Sequence, residues 1–72
     1  MRIHTIEWDD RNRVHATRRV PEAEIEAVFA SKPQIRRNKG DGAAGYYALA
    51  NGIRVNFVYD SGVARPISAW KV

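Results

Sequence analysis

The 72-residue sequence predicts an α+β fold, with two N-terminal helices packed on an antiparallel sheet of about three to four strands. Apolar residues recur at helical spacing in an acidic segment that begins at Pro21. Further along the chain, residues 53–59 alternate between apolar and polar side chains. Asn51-Gly52, immediately before them, is typical of a tight β-hairpin. Helices followed by strands indicate an α+β layer, and the length corresponds to a single domain, residues 1–72.

The N-terminal segment predicts a short strand and then a short helix. Residues 2–8 contain β-branched and aromatic side chains, which favour a strand. Asp9 or Asp10 can begin a polar helix that continues to about Thr17, because a carboxylate accepts hydrogen bonds from the free amides of a first helical turn. Trp8 is expected to bury its ring between the sheet and the helices.

A second helix is expected over residues 21–31. Pro21 suits a first helical turn, and the glutamates that follow it lie at the positive end of the helix dipole. Ile25, Val28 and Phe29 then fall on one helix face, where they can enter the core. Pro33 ends the helix because proline cannot continue the helical hydrogen bonding.

The rest of the chain predicts strands joined by turns. Residues 34–38 are expected to be extended, and strands at 46–50 and 53–59 are joined by the hairpin turn. Between them, the glycine-containing loop 39–45 precedes no helix, so we interpret it as a flexible turn and not as a nucleotide cradle. A turn at 60–62 leads into a last strand, residues 63–71, where Pro66 indicates an edge strand or a bulge.

The composition limits the classes of protein and of partner. Twelve Lys and Arg residues, nine of them Arg, outweigh eight acidic residues, for a net charge of +4. This excess favours a polyanion or an acidic protein as partner, although it can also serve only solubility. The chain has no cysteine and no apolar run of the roughly 18 residues that a membrane span needs. We therefore expect a cytoplasmic protein without a membrane association.

The titratable groups offer one candidate for acid–base chemistry. His15 lies one helical turn after Arg11, on the same side of the predicted first helix. A histidine beside phosphate-binding arginines can transfer protons during RNA cleavage. A structural hydrogen bond is the alternative role for His15. Neither His15 nor His4 has a carboxylate at a recognisable ligand spacing, so we expect no metal site.

Basic and aromatic residues suggest how an RNA strand would be held. The doublets Arg18-Arg19 and Arg36-Arg37 can bracket a phosphate backbone, meet an acidic protein segment, or simply be solvated. Tyr46 and Tyr47 should point to opposite faces of their strand. An exposed Tyr47 beside Arg54 can stack on a base.

Two short motifs at the ends of the chain, with the pattern between them, resemble the BrnT family. The opening contributes Trp8, Asp9, Asn12 and His15, and the middle contributes Val20 with the Glu-rich helix. The strand through Arg54 and the closing Arg65-x-Ile67-Ser68-Ala69 complete the resemblance. It implies a RelE-like fold and a metal-independent endoribonuclease that inhibits translation. Such a toxin of a type II toxin–antitoxin system acts on mRNA, needs no cofactor, and is held by a cognate antitoxin of the ribbon-helix-helix DNA-binding kind.

The residues and the resemblance together suggest a set of site residues. We expect Arg65 to bind phosphate, His15 to transfer protons, and Lys71 to act as a substitute cation. Arg65 and Lys71 should share one strand face by alternation, with Trp70 on the other. The expected RNA-binding residues are Arg36, Arg37, Tyr47 and Arg54.

The chain departs from the family pattern at positions that bear on catalysis. Arg18-Arg19 stands where the family has His-Gly, and Trp70 stands where the final strand carries an arginine. The family's basic C-terminal helix has no counterpart before Val72. These departures keep a second hypothesis open, a catalytically inactive RelE-like module that binds RNA or an antitoxin-like protein.

Overall fold

The computed structural model describes residues 1–40 and 44–72. Its elements follow the predicted order and are β1 (Thr5–Ile6), α1 (Asp10–Ala16), α2 (Glu22–Ala30), β2 (Gln34–Arg37), β3 (Tyr46–Ala50), β4 (Ile53–Asp60) and β5 (Val63–Lys71). The α+β class is confirmed. The predicted loop at 39–45 includes residues 41–43, which lie outside the described residues.

Both helices begin where the sequence indicates. Asp9 is the N-cap of α1, and its carboxylate accepts a hydrogen bond of 2.9 Å from the amide of Asn12. The side-chain oxygen of Asn12 accepts in return from the amide of Asp9, at 2.7 Å. Pro21 precedes α2, with Glu22 and Glu24 in the first turn. The free amides of each first turn therefore face negative charge.

The sheet has five strands in the order β1-β5-β4-β3-β2. β2 to β5 run antiparallel, as expected. The sheet has one strand more than the expected three to four and is mixed, since β1 pairs in parallel with β5. β1 is only two residues long, and its partner is the last strand of the chain. A pairing between segments so far apart leaves no pattern in the local sequence.

Two tight turns connect the last three strands. Asn51 and Gly52 have φ angles of +56° and +71°, which confirms the predicted hairpin turn. Ser61 and Gly62 adopt the same left-handed conformation at +48° and +87°. Both turns match the twist of the antiparallel strands that they join.

Pro66 lies at a bulge, in the part of β5 that extends beyond the pairing with β1. Asn56 pairs with Ser68 and Phe57 pairs with Pro66, which leaves Ile67 as an extra residue in β5. The extra residue shifts the alternation of side chains by one position. Arg65 therefore pairs with Val58 on one face, whereas Lys71 pairs with Ile53 on the other. The expectation that Arg65 and Lys71 share a face is wrong for this reason.

The core lies on one face of the sheet, under both helices. Phe57 is fully buried, and its ring centroid lies 5.2 Å from that of Phe29 and 5.9 Å from that of Tyr46. The other buried apolar side chains of this cluster are Ala16, Val20, Ile25, Val28, Ala48, Ile53, Val55, Ala64 and Ala69. We call the opposite side of the sheet the outer face. In the described part of the chain, neither helix is long and apolar enough to cross a bilayer.

Candidate functional site

A groove of about 650 Å³ lies between α1 and the C-terminal half of β5. It exists because β1 pairs only with Val63 and Ala64, so the following edge of β5 is not covered by a strand. We call it the basic groove, and it is lined by Arg11, Asn12, His15, Arg18, Arg19, Arg65, Ile67, Ser68, Ala69 and Trp70. This lining contains four arginines and a histidine and no carboxylate, so the groove favours an anion.

The α1 side of the groove carries the proton-transfer candidate. Arg11 and His15 are both exposed and lie one turn apart on α1, as the sequence predicts. Arg18 and Arg19 follow the end of the helix and line the same groove. Two further guanidinium groups therefore line the same groove as His15.

Arg65 is held by two carboxylates. Its guanidinium lies 3.3 Å from Glu7 Oε1 and also pairs with Asp9 Oδ2. The hydrogen bond from the Asn12 amide, and then that from Arg65, holds the pKa of Asp9 below its usual value. The pKa of Arg65 is raised above its usual value, first by the hydrogen bond with Asp9. An anion that binds Arg65 must therefore compete with Glu7 and Asp9.

Asn12 joins the two sides of the groove. Asn12 is 4% exposed, and its side-chain amide donates hydrogen bonds of 3.0 Å to the carbonyl oxygens of Glu7 and Pro66. The second bond reaches β5 at the bulge, beyond the end of the β1 pairing. Sequence reasoning missed this role, although the Asp9-x-x-Asn12 spacing is that of a capping box.

A polar network fixes Arg54 on the outer face. Its Nη2 donates to Asn38 Oδ1 at 2.8 Å, and its Nε donates to Asn56 Oδ1 at 3.2 Å. Asn56 is 7% exposed and donates in turn to Ser68 Oγ at 3.0 Å. The Arg54 guanidinium lies 3.8 Å from the ring centroid of Tyr47. Arg54 is therefore ordered by its neighbours before any ligand binds.

The predicted RNA-binding residues meet in a second depression of about 870 Å³, which we call the β2 depression. Arg36, Arg37, Tyr47 and Arg54 all line it. Arg36 pairs with Tyr47 on the outer face. Arg37 pairs with Tyr46, so the Cβ atom of Arg37 lies on the opposite face of the sheet. One face of the Tyr47 ring is already occupied by Arg54.

The predicted catalytic residues are only partly brought together. His15 and Arg65 line the basic groove, whereas Lys71 lies in a third depression with Arg19 and Trp70. Arg19 and Trp70 line both spaces. The expectation that Trp70 and Arg65 lie on opposite faces is wrong, because the bulge at Ile67 puts both on the outer face.

Comparison of the chain with protein-family models, with curated proteins and with solved structures finds no match. Within residues 1–40 and 44–72 there is no group of three His, Cys, Asp or Glu side chains placed to hold a metal ion.

Proposed function

We propose that this protein is a BrnT-type toxin with a RelE-like fold, an endoribonuclease that cleaves mRNA without a metal ion and thereby blocks translation. The observation that supports this most directly is the basic groove, where His15 stands among four arginines. Guanidinium groups bind phosphate oxygens through paired hydrogen bonds, and an imidazole can give or take a proton near neutral pH. The site thus combines the two kinds of group that RNA cleavage requires.

The proposed reaction is attack of the RNA 2′-hydroxyl on the adjacent phosphorus. The hydroxyl loses its proton as its oxygen bonds to phosphorus, and the 5′-oxygen leaves with a proton, giving a 2′,3′-cyclic phosphate and a 5′-hydroxyl end. His15 transfers one of these protons. The arginines of the groove stabilise the negative charge that builds up on the phosphorane oxygens.

Cleavage of purified RNA tests this proposal. We expect the protein to cleave total RNA equally well with and without a chelator, leaving cyclic phosphate ends. His15→Gln should lower the rate by about 100-fold or more, since general acid–base groups contribute about 10²–10⁴. His4→Gln is the matched control, because His4 is exposed and does not line the groove. Equal rates for the two variants would exclude His15 from the chemistry.

The proposed partner is a cognate antitoxin, a ribbon-helix-helix DNA-binding protein encoded by the neighbouring reading frame. An acidic segment of that protein would be attracted to the basic groove. Expression of the toxin alone should arrest growth, and coexpression of the neighbour should restore it. Arg65→Ala should abolish the growth arrest, and unchanged toxicity would exclude Arg65 from phosphate binding.

The ion pairs of Arg65 favour a second candidate function, an inactive RelE-like module that binds RNA or an antitoxin-like protein. Arg65 already has both Glu7 and Asp9 as partners, which reduces the charge it offers to a phosphorane. In this case the protein binds RNA or the neighbour's product, but neither cleaves RNA nor arrests growth. Those two measurements separate the candidates.

A further inference from the structure

Trp70 stands where the basic groove meets the depression that holds Lys71. It lines both spaces, and so does Arg19. The side chain is partly exposed on the outer face, where it pairs across the strands with Arg54. An aromatic ring thus borders both the groove that holds four arginines and the depression that holds Lys71.

The Trp70 ring is held in position by a contact with Arg54 on the neighbouring strand. The guanidinium of Arg54 lies 5.4 Å from the ring centroid, within the range of a cation–π interaction. Arg54 is itself held by Asn38 and Asn56. The ring is therefore placed by the sheet and its polar network before a ligand arrives, which lowers the entropy lost on binding.

We propose that Trp70 stacks on an unpaired base of a single-stranded RNA whose phosphates lie along the basic groove and near Lys71. This inference rests on the proposed function and names the form of its substrate. A single strand alternates phosphates with free base faces, and the surface alternates cations with an aromatic ring. Base–aromatic stacking is a main source of affinity in such complexes. A duplex hides its base faces, and an acidic peptide has no ring to stack.

Binding of a strand that cannot be cleaved tests the inference. The probe is a fluorescein-labelled, 2′-O-methylated oligouridylate, whose blocked 2′-oxygen excludes cleavage by the proposed route. Fluorescence anisotropy should show tighter binding of this probe than of a duplex of equal length or of polyglutamate. Trp70→Leu should weaken binding about fivefold or more, the effect expected for the loss of one stacked base. Trp70→Phe should retain most of the affinity because it keeps an aromatic face.

A fluorescence measurement avoids any dependence on the folding of the Trp70→Leu variant. In Trp8→Phe, Trp70 is the remaining tryptophan, and its emission should be quenched as the oligouridylate binds. In Trp70→Phe, the remaining Trp8 should report little change, since Trp8 lies at the opposite end of α1 and hydrogen-bonds to Glu26.

Three results would overturn the inference: unchanged Trp70 emission on binding, equal affinity of Trp70→Leu and wild type, or binding of polyglutamate as tight as that of the oligouridylate. The last would assign the surface to an acidic protein. Quenching and a weakened Trp70→Leu variant in a protein that does not cleave RNA would support the stacking site and reject the ribonuclease. The two proposals therefore fail separately.

Discussion

Replacement of Asn12 by alanine should lower the free energy of unfolding by more than the loss of a single hydrogen bond would. The side chain makes three hydrogen bonds, to the Glu7 carbonyl, to the Pro66 carbonyl and from the Asp9 amide. Together they join the end of β1, the start of α1 and the bulge of β5. Alanine removes all three and leaves the buried Pro66 carbonyl without this donor.

The expected loss can be worked from these contacts. A buried polar group left without its partner costs about 1–3 kcal/mol, and a bond near the surface costs about 1 kcal/mol or less because water replaces it. The better helix propensity of alanine offsets about 0.5 kcal/mol. The free energy of unfolding should therefore fall by about 2 kcal/mol, out of about 4–11 kcal/mol for a domain of this size. Tm should fall by about 8–16 °C.

Urea unfolding followed by tryptophan fluorescence measures this loss. Arg11→Ala, at an exposed position of the same helix, is the control and should change the free energy by no more than about 0.5 kcal/mol. Asn12→Asp keeps the acceptor for Asp9 but faces the carbonyls of Glu7 and Pro66 with a carboxylate, so at neutral pH it should be no more stable than the alanine variant. A loss below about 1 kcal/mol for Asn12→Ala would refute the role of Asn12 as the link between α1 and β5.

Four further outcomes are expected. Asp9→Ala should destabilise the protein at neutral pH. Because the folded-state pKa of Asp9 is lowered, this contribution is complete above its usual carboxyl range, so the difference between wild type and variant in urea unfolding should disappear as the pH falls through that lowered pKa. Gly52→Ala should cost about 1–2 kcal/mol in the same assay, because φ is +71° at this position. Phe57→Ala should cost about 3–5 kcal/mol, measured by thermal unfolding, because it empties the centre of the core. Arg18→Ala should reduce the slope of log RNA affinity against log salt concentration by about one, the change expected when one phosphate contact is lost.

Each of these outcomes has a result that contradicts it. An Asp9→Ala difference that persists in strong acid would show that the carboxylate charge is not what stabilises α1. Gly40→Ala is the control for Gly52, since an added Cβ meets no atom within 4 Å at either glycine and only Gly52 has a positive φ. Equal losses for the two glycines would refute the backbone argument. A Phe57→Ala loss typical of a surface position would contradict the placement of Phe57 in the core. An unchanged salt slope for Arg18→Ala would contradict phosphate binding by Arg18 in the basic groove.

Much of the secondary structure could be predicted because its signals are local. The capping of α1 by Asp9 acts over three residues, and the hairpin turn depends on two adjacent residues with positive φ. The alternation in β4 similarly places Val55 and Phe57 in the core. Interactions between near neighbours in the chain leave patterns that can be recognised without the fold.

The candidate site was predictable only in part. The sequence indicates His15 because a histidine one turn from Arg11 is a local pattern, and both residues line the basic groove. Arg36, Arg37, Tyr47 and Arg54 line the β2 depression, and their role in RNA binding stays a prediction. The place of Trp70 was not predicted, since the bulge at Ile67 reverses the faces of the residues before it relative to those after it. No local signal shows that Arg65 meets Glu7, 58 positions earlier.

The sequence by itself therefore determined the element order, the basic character and the side chains available for chemistry. The tertiary structure decided that β1 pairs in parallel with β5, that this pairing stops after two residues, and that a groove opens beside α1. The physical reason is separation along the chain. The Asn12–Pro66 hydrogen bond, for example, spans 54 positions, and such contacts form only when the whole chain has closed around one core.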